Sequence, residues 1–492
     1  VVLSGCRGKA GPDGNPVRIV PVDTSIIQNP KVWEASGHLA GFTDPMRKCP
    51  GCGHFVRADH LWDILATSSG WFDSLLQEFT PVTGDIDTPR LIKWAKGKGK
   101  ALAPNLALVR NPEVTLSWLA TRVNGQPNVP VEMQEFIRHV ATEQLNSTGL
   151  QEPCPRCGAP LDEPSQFRLM FETYAGLTQS EDNKAYLRPE TAQGIFINFK
   201  NVLDTTRVRI PFGIAQTGKA FRNEVTPRNY TFRSREFEQM EVEFFCHPDD
   251  AKDWYTFWRD WRMQWWQDHG LAGDNLILRE HDKDELAHYA KEGAGTSDVE
   301  YRFPFTHPGF GELEGIAHRA DYDLRQHQEH SGVRLDYFDQ ERNERYIPHC
   351  IEPSAGLDRG VLAALCEAYT PDPDRPSKVY MKFHPRLSPI KAAVFPLVNK
   401  DGMPEIADRL ASELRARVGS GGFIETDPKQ NIGKRYARMD EAGCPFCFTI
   451  DSQTLEDQTV TVRFRDDPRA QQRLPLDRVG ESLAGWLAGE SA

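Results

Sequence analysis

Three features are missing from this sequence, and each absence narrows the possible functions. No apolar run approaches the ~18 residues that a membrane-spanning helix needs, so the sequence predicts no membrane partner. The net charge is not positive, because 58 Lys and Arg stand against 70 Asp and Glu to give −12. A nucleic-acid partner would therefore have to use local basic patches. Internal repeats and low-complexity tracts are also absent.

The remaining composition is that of an ordinary globular protein, with 39% hydrophobic and 26% charged residues. At 492 residues the chain is long enough for two or three domains. After the linker PDPDRPS (371–377), the segments KAAVFPLV, EIADRLASELRARVG and FIETD predict a strand–helix–strand succession and hence a separate α/β domain. We therefore divide the chain into residues 1–60, an insertion at 61–150, a core at 151–370 and a C-terminal domain at 378–492.

Four of the ten cysteines fall in two short C-P-x-C-G knuckles. Each knuckle directs two thiolates at one tetrahedral ion, so two knuckles predict a four-sulfur zinc site formed by Cys49, Cys52, Cys154 and Cys157. The knuckles are further apart in sequence than in compact zinc motifs, and the alternative is four ordinary thiols. Cys444-Pro-Phe-Cys447 has no second pair, and we interpret it as incidental.

The 61–150 insertion contains a basic stretch, LIKWAKGKGK, with an aromatic residue in it. It places four lysines around Trp94, namely Lys93, Lys96, Lys98 and Lys100. Basic residues beside an aromatic ring can bind a phosphate backbone and a base. A solvated charge run is the simpler interpretation.

The stretch FRNEVTPRNYTFRSREFEQMEVEFF (Phe221–Phe245) predicts two strands joined by a polar turn. Because side chains alternate across a strand, one face of the second strand is apolar and carries Met240, Val242 and Phe244. The other face carries Phe237, Gln239, Glu241 and Glu243. Two interpretations follow from the hairpin alone: a solvated sheet with cross-strand ion pairs, or a face that ligands cover.

Two further segments predict helices with an apolar stripe. IEPSAGLDRGVLAALCEAY predicts a strand, a glycine turn and an amphipathic helix with Arg359 in its first turn. The helical spacing places four side chains against a core: Leu357, Val361, Leu365 and, on the flank, Leu362. DWYTFWRDWRMQWW predicts a second helix, whose aromatic stripe is most simply core packing.

Taken together, these segments resemble the class II aminoacyl-tRNA synthetases, specifically the dimeric glycyl-tRNA synthetases. The hairpin is similar to motif 2 of that class, and GLDR with its helix is similar to motif 3. LRPETAQGIF, FRSREFEQME, GELEGIAHRADYDL and YIPHCIEPSAGLDR follow in the order expected of the family. The resemblance covers residues 18–490 apart from most of 61–150.

The resemblance implies an α+β fold in which helices flank an antiparallel sheet, with a C-terminal α/β anticodon-binding domain. Residues 1–60 would supply the motif 1 strand and the first zinc knuckle. The implied activity is that of a glycine–tRNA ligase, which activates glycine with ATP and Mg²⁺ and transfers it to the 3′ end of tRNA(Gly). The implied protein is a cytoplasmic homodimer with a structural Zn²⁺.

The resemblance also assigns ATP-binding roles, with Arg222 and Arg359 as the catalytic residues. Arg222 would hold the α-phosphate, and Arg359 would enclose the adenine ring together with Phe237. Glu224 would accept a hydrogen bond from the adenine amine. Arg233 would meet the outer phosphates, and Glu312 would reach ATP through magnesium. The implied ATP-binding set is Arg222, Asn223, Glu224, Phe232, Arg233, Ser234, Arg235, Glu236, Phe237, Glu312, Leu313, Gly356, Leu357, Asp358 and Arg359.

The glycine ligand needs carboxylates for its ammonium group and little space beyond it. The family-matched candidates are Glu190, Glu241 and Ser354, with Arg57 and Glu352 completing the pocket. The implied glycine-binding set is Arg57, Glu190, Phe237, Glu238, Gln239, Met240, Glu241, Glu352, Pro353, Ser354, Ala355 and Gly356. In this interpretation the charged hairpin face is buried by substrates rather than by protein.

In the C-terminal domain, GKRYARMDEAG would lie on or near the RNA surface. Its candidate phosphate contacts are Lys434, Arg435 and Arg438.

One departure from the family pattern concerns the beginning of the chain. The family has a segment before VRIVPV that includes the long motif 1 helix, whereas only residues 1–16 precede VRIVPV here. We therefore expect an incomplete copy, whose dimerisation and full activity are open questions. Two rival hypotheses are a different class II synthetase and a catalytically inactive relative that binds nucleic acid as an accessory subunit. RPETAQG, FEQME and EPSAGLDR argue against the first, and the presence of Arg222, Arg233 and Arg359 argues against the second.

Overall fold

The computed structural model describes residues 9–58, 61, 64, 152–283, 286–287, 289–306, 309–427 and 429–489. These residues fall into two compact units. The first lies within residues 1–36, 172–222 and 226–492, and the second within 37–171 and 223–225. LIKWAKGKGK lies outside the described residues, so both interpretations of its lysines stay open. The four-part domain division also stays a prediction.

The helices and strands follow one another along the chain in three stretches. Residues 9–58 contain β1 (Ile19–Pro21), β2 (Ile27–Gln28), α1 (Pro30–Ala35), α2 (His38–Gly41), β3 (Thr43–Lys48) and β4 (Phe55–Arg57). Residues 152–371 contain β5 (Ser165–Arg168), β6 (Glu172–Tyr174), β7 (Lys184–Leu187), α3 (Ala192–Thr206), β8 (Phe212–Phe221), β9 (Glu236–Cys246), α4 (Ala251–Asp268), β10 (Leu276–Glu280), β11 (Thr296–Tyr301), β12 (Gly311–Ala320), α5 (Tyr322–Ser331), β13 (Tyr337–Asp339), β14 (Glu344–Tyr346), β15 (His349–Gly356), α6 (Leu357–Ala368) and β16 (Tyr369–Pro371). Residues 379–488 contain β17 (Val379–Met381), β18 (Ile390–Pro396), α7 (Met403–Val418), β19 (Phe423–Glu425), α8 (Ile432–Glu441), β20 (Phe446–Ile450), α9 (Ser452–Asp457), β21 (Thr459–Phe464), β22 (Gln471–Pro475) and α10 (Val479–Ala488).

Among the described helices, none has both the length and the apolar character needed to cross a membrane.

The first unit is built on a seven-stranded sheet in the order β1-β8-β9-β15-β12-β11-β10. β1 runs parallel to β8, and the other neighbours are antiparallel. Helices cover parts of both faces of this sheet. The predicted α+β class, with helices flanking an antiparallel sheet, is confirmed.

One face of this sheet packs against α4 and α6. The period-two alternation of β9 places Met240, Val242 and Phe244 in this core, as predicted. The aromatic stripe of α4 contributes five buried tryptophans to the same core, namely Trp254, Trp258, Trp261, Trp265 and Trp266. The prediction that this stripe is core packing is therefore confirmed.

The predicted inward face of α6 is wrong in part. Leu357 and Leu362 pack against the core, but Val361 is 54% exposed and Leu365 is 43% exposed. Gly360 and the buried Ala363 lie on the inner face instead. A Cβ at Gly360 would stand 3.0 Å from the indole ring of Trp266. The tryptophans of α4 therefore require small residues at the contact, and the larger aliphatic side chains of α6 lie outside it.

The opposite face of the sheet is covered at one end by α3 and α5. Phe196 and Phe199 of α3 pack against Phe245 of β9, and the ring centroids of Phe199 and Phe245 are 4.5 Å apart. Leu324 of α5 belongs to the same cluster. This cover explains why the charged face of β9 ends in a closed pocket.

The C-terminal part forms its own sheet in the order β19-β18-β20-β21-β22. β18 runs parallel to β19 and to β20, and β20, β21 and β22 are antiparallel. Side chains of α7 and α10 pack in one hydrophobic cluster of this sheet, and those of α8 pack in another. The predicted strand–helix–strand succession is confirmed as β18, α7 and β19.

The segment PDPDRPS, interpreted as a linker, is an ordered turn. The amide of Asp372 donates to the carbonyl of Lys378 at 3.0 Å, and the flanking strands β16 and β17 pair. Arg375 is 7% exposed and forms ion pairs with Asp372 and Asp440 at 2.9 and 2.8 Å. The buried guanidinium of Arg375 fixes the turn, which the proline-rich composition alone did not indicate.

Candidate active site and metal centre

The charged face of β9 becomes progressively more enclosed along the strand. Gln239 is 8% exposed, Glu241 is 1% exposed and Glu243 is fully buried. Glu241 faces Gln216 of β8 on one side and Ser354 of β15 on the other. The expectation that substrates rather than protein bury this face is therefore wrong for Glu243, because the fold itself encloses that end.

Glu241 has the hydrogen-bond partners of an ionised carboxylate. The hydroxyl of Ser354 donates to its Oε1 at 2.7 Å, and the hydroxyl of Thr191 donates to its Oε2. Burial raises the pKa of Glu241, and the neighbouring carboxylate of Glu190 raises it further. A cationic ligand between these two acids would reverse that effect. The pocket is thus suited to an ammonium group.

A buried ion-pair network supports this pocket from below. Arg319 binds Asp323 through two hydrogen bonds of 2.7 and 2.9 Å and Glu352 through one of 2.6 Å. Gln193 connects the network to Glu190, donating at 3.1 Å to the glutamate and at 2.9 Å to Asp323. No sequence pattern indicated a role for Arg319 by itself. Arg319 lies in β12 and Asp323 in α5, so the pair has no helical spacing that the sequence could have shown.

Two arginines lie at the open end of the site, each over an aromatic ring. The guanidinium carbon of Arg222 is 5.3 Å from the ring centroid of Phe237, and its Nε donates to the carbonyl of Pro189 at 3.1 Å. The guanidinium carbon of Arg359 is 4.3 Å from the ring centroid of Phe232. Its Nη1 lies 3.5 Å from the carboxylate of Glu312. The structure thus pairs Arg359 with Phe232 and Glu312, and Arg222 with Phe237.

Hydrogen bonds to backbone atoms hold the segments that carry Arg222 and Arg359 in place. Asp358, next to Arg359 in α6, accepts a hydrogen bond from the amide of Glu238 at 2.8 Å. The amide of Arg222 donates to the carbonyl of Arg235 at 3.0 Å, which extends the hairpin by one pair beyond β8. Ser234 caps the returning strand by donating to the carbonyl of Glu236 at 2.7 Å.

Some of the expected site residues have side chains that do not face the ligand side. Leu313, Met240 and Ala355 lie in the core against α4 and α6, because they occupy the alternate positions of their strands. Their side chains therefore belong to the core, and their membership of the ATP- and glycine-binding sets stays a prediction. Arg57, Asn223 and Glu224 belong to the second unit, where Arg57 pairs with Asp44 at 3.0 Å. Their roles toward ATP and glycine stay predictions.

The second unit brings the two cysteine knuckles together beside the sheet β4-β3-β5. Both knuckles have the same backbone hydrogen bond. The amide of Gly53 donates to the carbonyl of Cys49 at 2.8 Å, and the amide of Gly158 donates to the carbonyl of Cys154 at 2.8 Å. The two glycines have φ of +70° and +71°, which explains why this position of the motif favours glycine.

The four thiols fit a tetrahedral metal. All four sulfurs lie within 4.8 Å of one another, with Cys49–Cys157 at 3.5 Å and Cys52–Cys154 at 3.6 Å. Tetrahedral zinc with Zn–S bonds of ~2.3 Å requires S···S separations of about 3.8 Å. Burial raises the pKa of Cys154 to about 12, and the amide of His54 lowers that of Cys52 to about 7. The prediction that these cysteines form one cluster is confirmed.

The candidate RNA contacts of α8 are not all accessible. Lys434 and Arg438 are exposed, but Arg435 is 3% exposed. Its guanidinium donates to the carbonyls of Pro396, Asp427 and Leu397 at 2.7, 3.0 and 3.3 Å. Arg435 therefore fixes the loops around β18, and its assignment as a phosphate contact is wrong.

Two family models match the two sheets of the first unit. Residues 171–369 match the tRNA synthetase class II core domain (G, H, P, S and T), and residues 391–486 match the anticodon binding domain. The sheet with its paired arginines and acidic pocket thus defines the catalytic core of a class II aminoacyl-tRNA synthetase.

Comparison with curated proteins gives the family more narrowly. The chain is 42% identical to the glycine–tRNA ligase of Rhodopirellula baltica, covering 97% of this chain and 89% of that protein. It is 44% identical to the glycine–tRNA ligase of Thermobifida fusca, covering 96% of this chain and 86% of that protein. For Geobacillus thermodenitrificans the identity is 43%, with coverages of 95% and 86%. The chain belongs to the glycine–tRNA ligase family.

Proposed function

We propose that this protein is a glycine–tRNA ligase. It activates glycine with ATP to glycyl-adenylate, releases pyrophosphate, and transfers glycine to the 3′ end of tRNA(Gly), releasing AMP. The observation that carries this proposal is the enclosed carboxylate of Glu241, which accepts hydrogen bonds from two hydroxyl groups. Glu241 lies in β9, and the open end of the same strand carries Phe237. Four residues along a strand span about 13 Å, which leaves room for an amino acid and a nucleotide side by side.

The pocket supports glycine as the substrate because two carboxylates are available for its ammonium group, and the exclusion of larger amino acids follows if little space lies beyond them. Glu190 and Glu241 bind the ammonium, and Ser354 fixes the Glu241 carboxylate. A pocket that accepts the smallest amino acid can refuse every larger one by steric exclusion. Discrimination against a smaller competitor would be far weaker, since one missing methylene is worth only ~1–3 kcal/mol.

The arginines at the open end support an in-line attack on ATP. An oxygen of the glycine carboxylate attacks the α-phosphorus, and pyrophosphate leaves with the electron pair of the broken P–O bond. Arg222 stabilises the charge that develops on the α-phosphate, and Arg359 with Phe237 encloses the adenine. Glu312 lies beside Arg359 and suits a Mg²⁺ that accompanies ATP. Positioning and electrostatics are sufficient for this step.

We further propose a structural zinc ion bound by Cys49, Cys52, Cys154 and Cys157, supported by the sulfur separations. Bound zinc would supply a fixed cross-link between the two knuckles. Lys434 and Arg438 are the proposed phosphate contacts to tRNA. The resemblance to dimeric glycyl-tRNA synthetases supports a cytoplasmic homodimer, and sedimentation of the purified protein tests the assembly.

The decisive experiment is amino-acid-dependent exchange of pyrophosphate into ATP. We expect exchange with glycine and none above background with alanine, serine or proline. Comparable exchange with alanine or serine would contradict the exclusion argument. Exchange with none of the four would favour the rival hypothesis, a relative that binds nucleic acid without catalysis.

A further inference from the structure

Glu243 lies two residues after Glu241 on the same face of β9, and the fold buries it completely. The thiol of Cys350 donates to its Oε2 at 2.9 Å. Its Oε1 is buried and has no hydrogen-bond partner among the residues that the structure describes. One carboxyl oxygen of Glu243 lies within 4.8 Å of one from Glu241 and one from Glu352. Three acids thus converge beneath the amino-acid pocket.

The three acids differ in the partners that could stabilise a negative charge. Glu352 contacts the guanidinium of Arg319 at 2.6 Å. Glu241 accepts from two hydroxyls and faces the proposed ammonium site. Glu243 is hydrogen-bonded only to a neutral thiol in the described part of the chain. A buried carboxylate without a cation or strong donors is costly, so the proton belongs on this member of the cluster.

We propose that Glu243 stays an uncharged carboxylic acid throughout the reaction, in the enclosed space beneath the amino-acid pocket. It fills the space beneath Glu241 and Glu352 and leaves the negative charge to those two side chains. It does not touch glycine. The proposal rests on the proposed function, since it gives the pocket the charge that a single ammonium group requires.

Burial raises the pKa of all three acids, so the partners of each carboxyl group decide which one keeps the proton. Burial raises the pKa of Glu243 well above its usual range, and the charge of Glu352 raises it further, while Arg319 opposes the shift. Burial and the contact with Glu243 also raise the pKa of Cys350, so the thiol keeps its proton and remains the donor. The groups that face Glu243 are thus Glu241 on β9, Glu352 and Cys350 on β15, and Arg319 on β12.

The first test compares two isosteric amide variants in the exchange assay. In Glu243→Gln the KM for glycine should stay within about threefold of wild type, because an uncharged group replaces an uncharged group. The matched control Glu241→Gln removes a charge that binds the ammonium, and its KM should rise on the order of 10²-fold or more. A comparable rise in Glu243→Gln would overturn the proposal.

The second test uses the unliganded protein and measures melting temperature against pH. Below about pH 4 both the folded and the unfolded wild type hold the proton on Glu243. As the pH rises toward the raised folded pKa, only the unfolded chain releases it, so this residue's contribution to wild-type stability falls. Glu243→Gln lacks this loss. The melting temperature of the variant minus that of wild type should therefore increase by a few degrees between pH 5 and pH 9.

If Glu243 were already ionised in the folded protein, neither state would release a proton from it above pH 5, and the difference in melting temperature between variant and wild type would stay constant from pH 5 to pH 9. The infrared carbonyl band of a protonated carboxylic acid, present in wild type and missing from the variant, gives an independent measure. If Glu243→Gln does not fold, Glu243→Met supplies a second uncharged side chain of similar length. If wild type shows no glycine-dependent exchange, the proposed function fails, yet the melting and infrared measurements still determine the charge of Glu243.

Discussion

Replacing Arg222 by alanine tests the assignment of the ATP site most directly. The side chain contributes a hydrogen bond to Pro189 at 3.1 Å and lies 5.3 Å from the ring centroid of Phe237. These two contacts are together worth about 1–2 kcal/mol of folding stability. The backbone amide of Arg222, which extends the hairpin, is retained in the variant. Arg222→Ala should therefore fold.

The rate of adenylation should suffer far more than the stability. If Arg222 binds the α-phosphate fully only in the transition state, its loss removes one preorganised donor. Such a loss typically lowers a rate by roughly 10²–10³-fold, or ~2.7–4 kcal/mol of barrier. The assay is glycine-dependent pyrophosphate exchange at saturating ATP and glycine, with the melting temperature measured in parallel.

Arg345 provides a matched control because it has similar contacts away from the site. Its Nη1 lies 2.7 Å from Asp336, and its guanidinium carbon is 5.4 Å from the ring centroid of Phe338. Arg345→Ala should change the melting temperature by a similar amount and leave exchange at the wild-type rate. If Arg222→Ala also retained the wild-type rate, the assignment of this residue to the α-phosphate would be refuted.

Two further predictions concern the metal centre and the wall of the pocket. Metal analysis should find about one zinc per chain, lost in Cys154→Ser together with several degrees of melting temperature; metal-free wild type that melts at the same temperature would contradict the site. In Gly218→Ala the new Cβ would stand 2.5 Å from the guanidinium of Arg188, which is pinned to the carbonyls of Lys219 and Thr24 at 2.7 and 2.8 Å. The displaced Arg188 should move Glu190, two residues further along the chain, and raise the KM for glycine about tenfold, at a stability cost of ~1–3 kcal/mol. An unchanged KM would show that the pocket does not depend on this contact.

The sequence predicted the elements whose periodicity is set by one dominant core. The alternation of β9 and the aromatic stripe of α4 both follow from burial against each other, so the spacing alone located them. The C-P-x-C-G knuckles were equally predictable, because proline, glycine and two cysteines fix a local turn without help from the rest of the chain.

The wrong predictions concern residues whose surroundings depend on distant segments. Helical spacing could not tell that Gly360 and Ala363, rather than Val361 and Leu365, face the tryptophans of α4. Arg435 resembles its exposed neighbours in sequence, but carbonyls from residues 396, 397 and 427 surround its guanidinium. No local pattern encodes such tertiary partners.

The alternation of β9 also has a consequence for how the site arises during folding. Met240, Val242 and Phe244 point into the core, while Gln239, Glu241 and Glu243 point to the opposite face, toward and beneath the pocket. A slip of one residue would exchange the two sets. That exchange would bury three polar side chains against tryptophans and place three apolar ones on the polar face. A chain that reaches its folded state therefore has the amino-acid pocket in the correct register already, and errors in assembling this part of the site are removed as errors of folding.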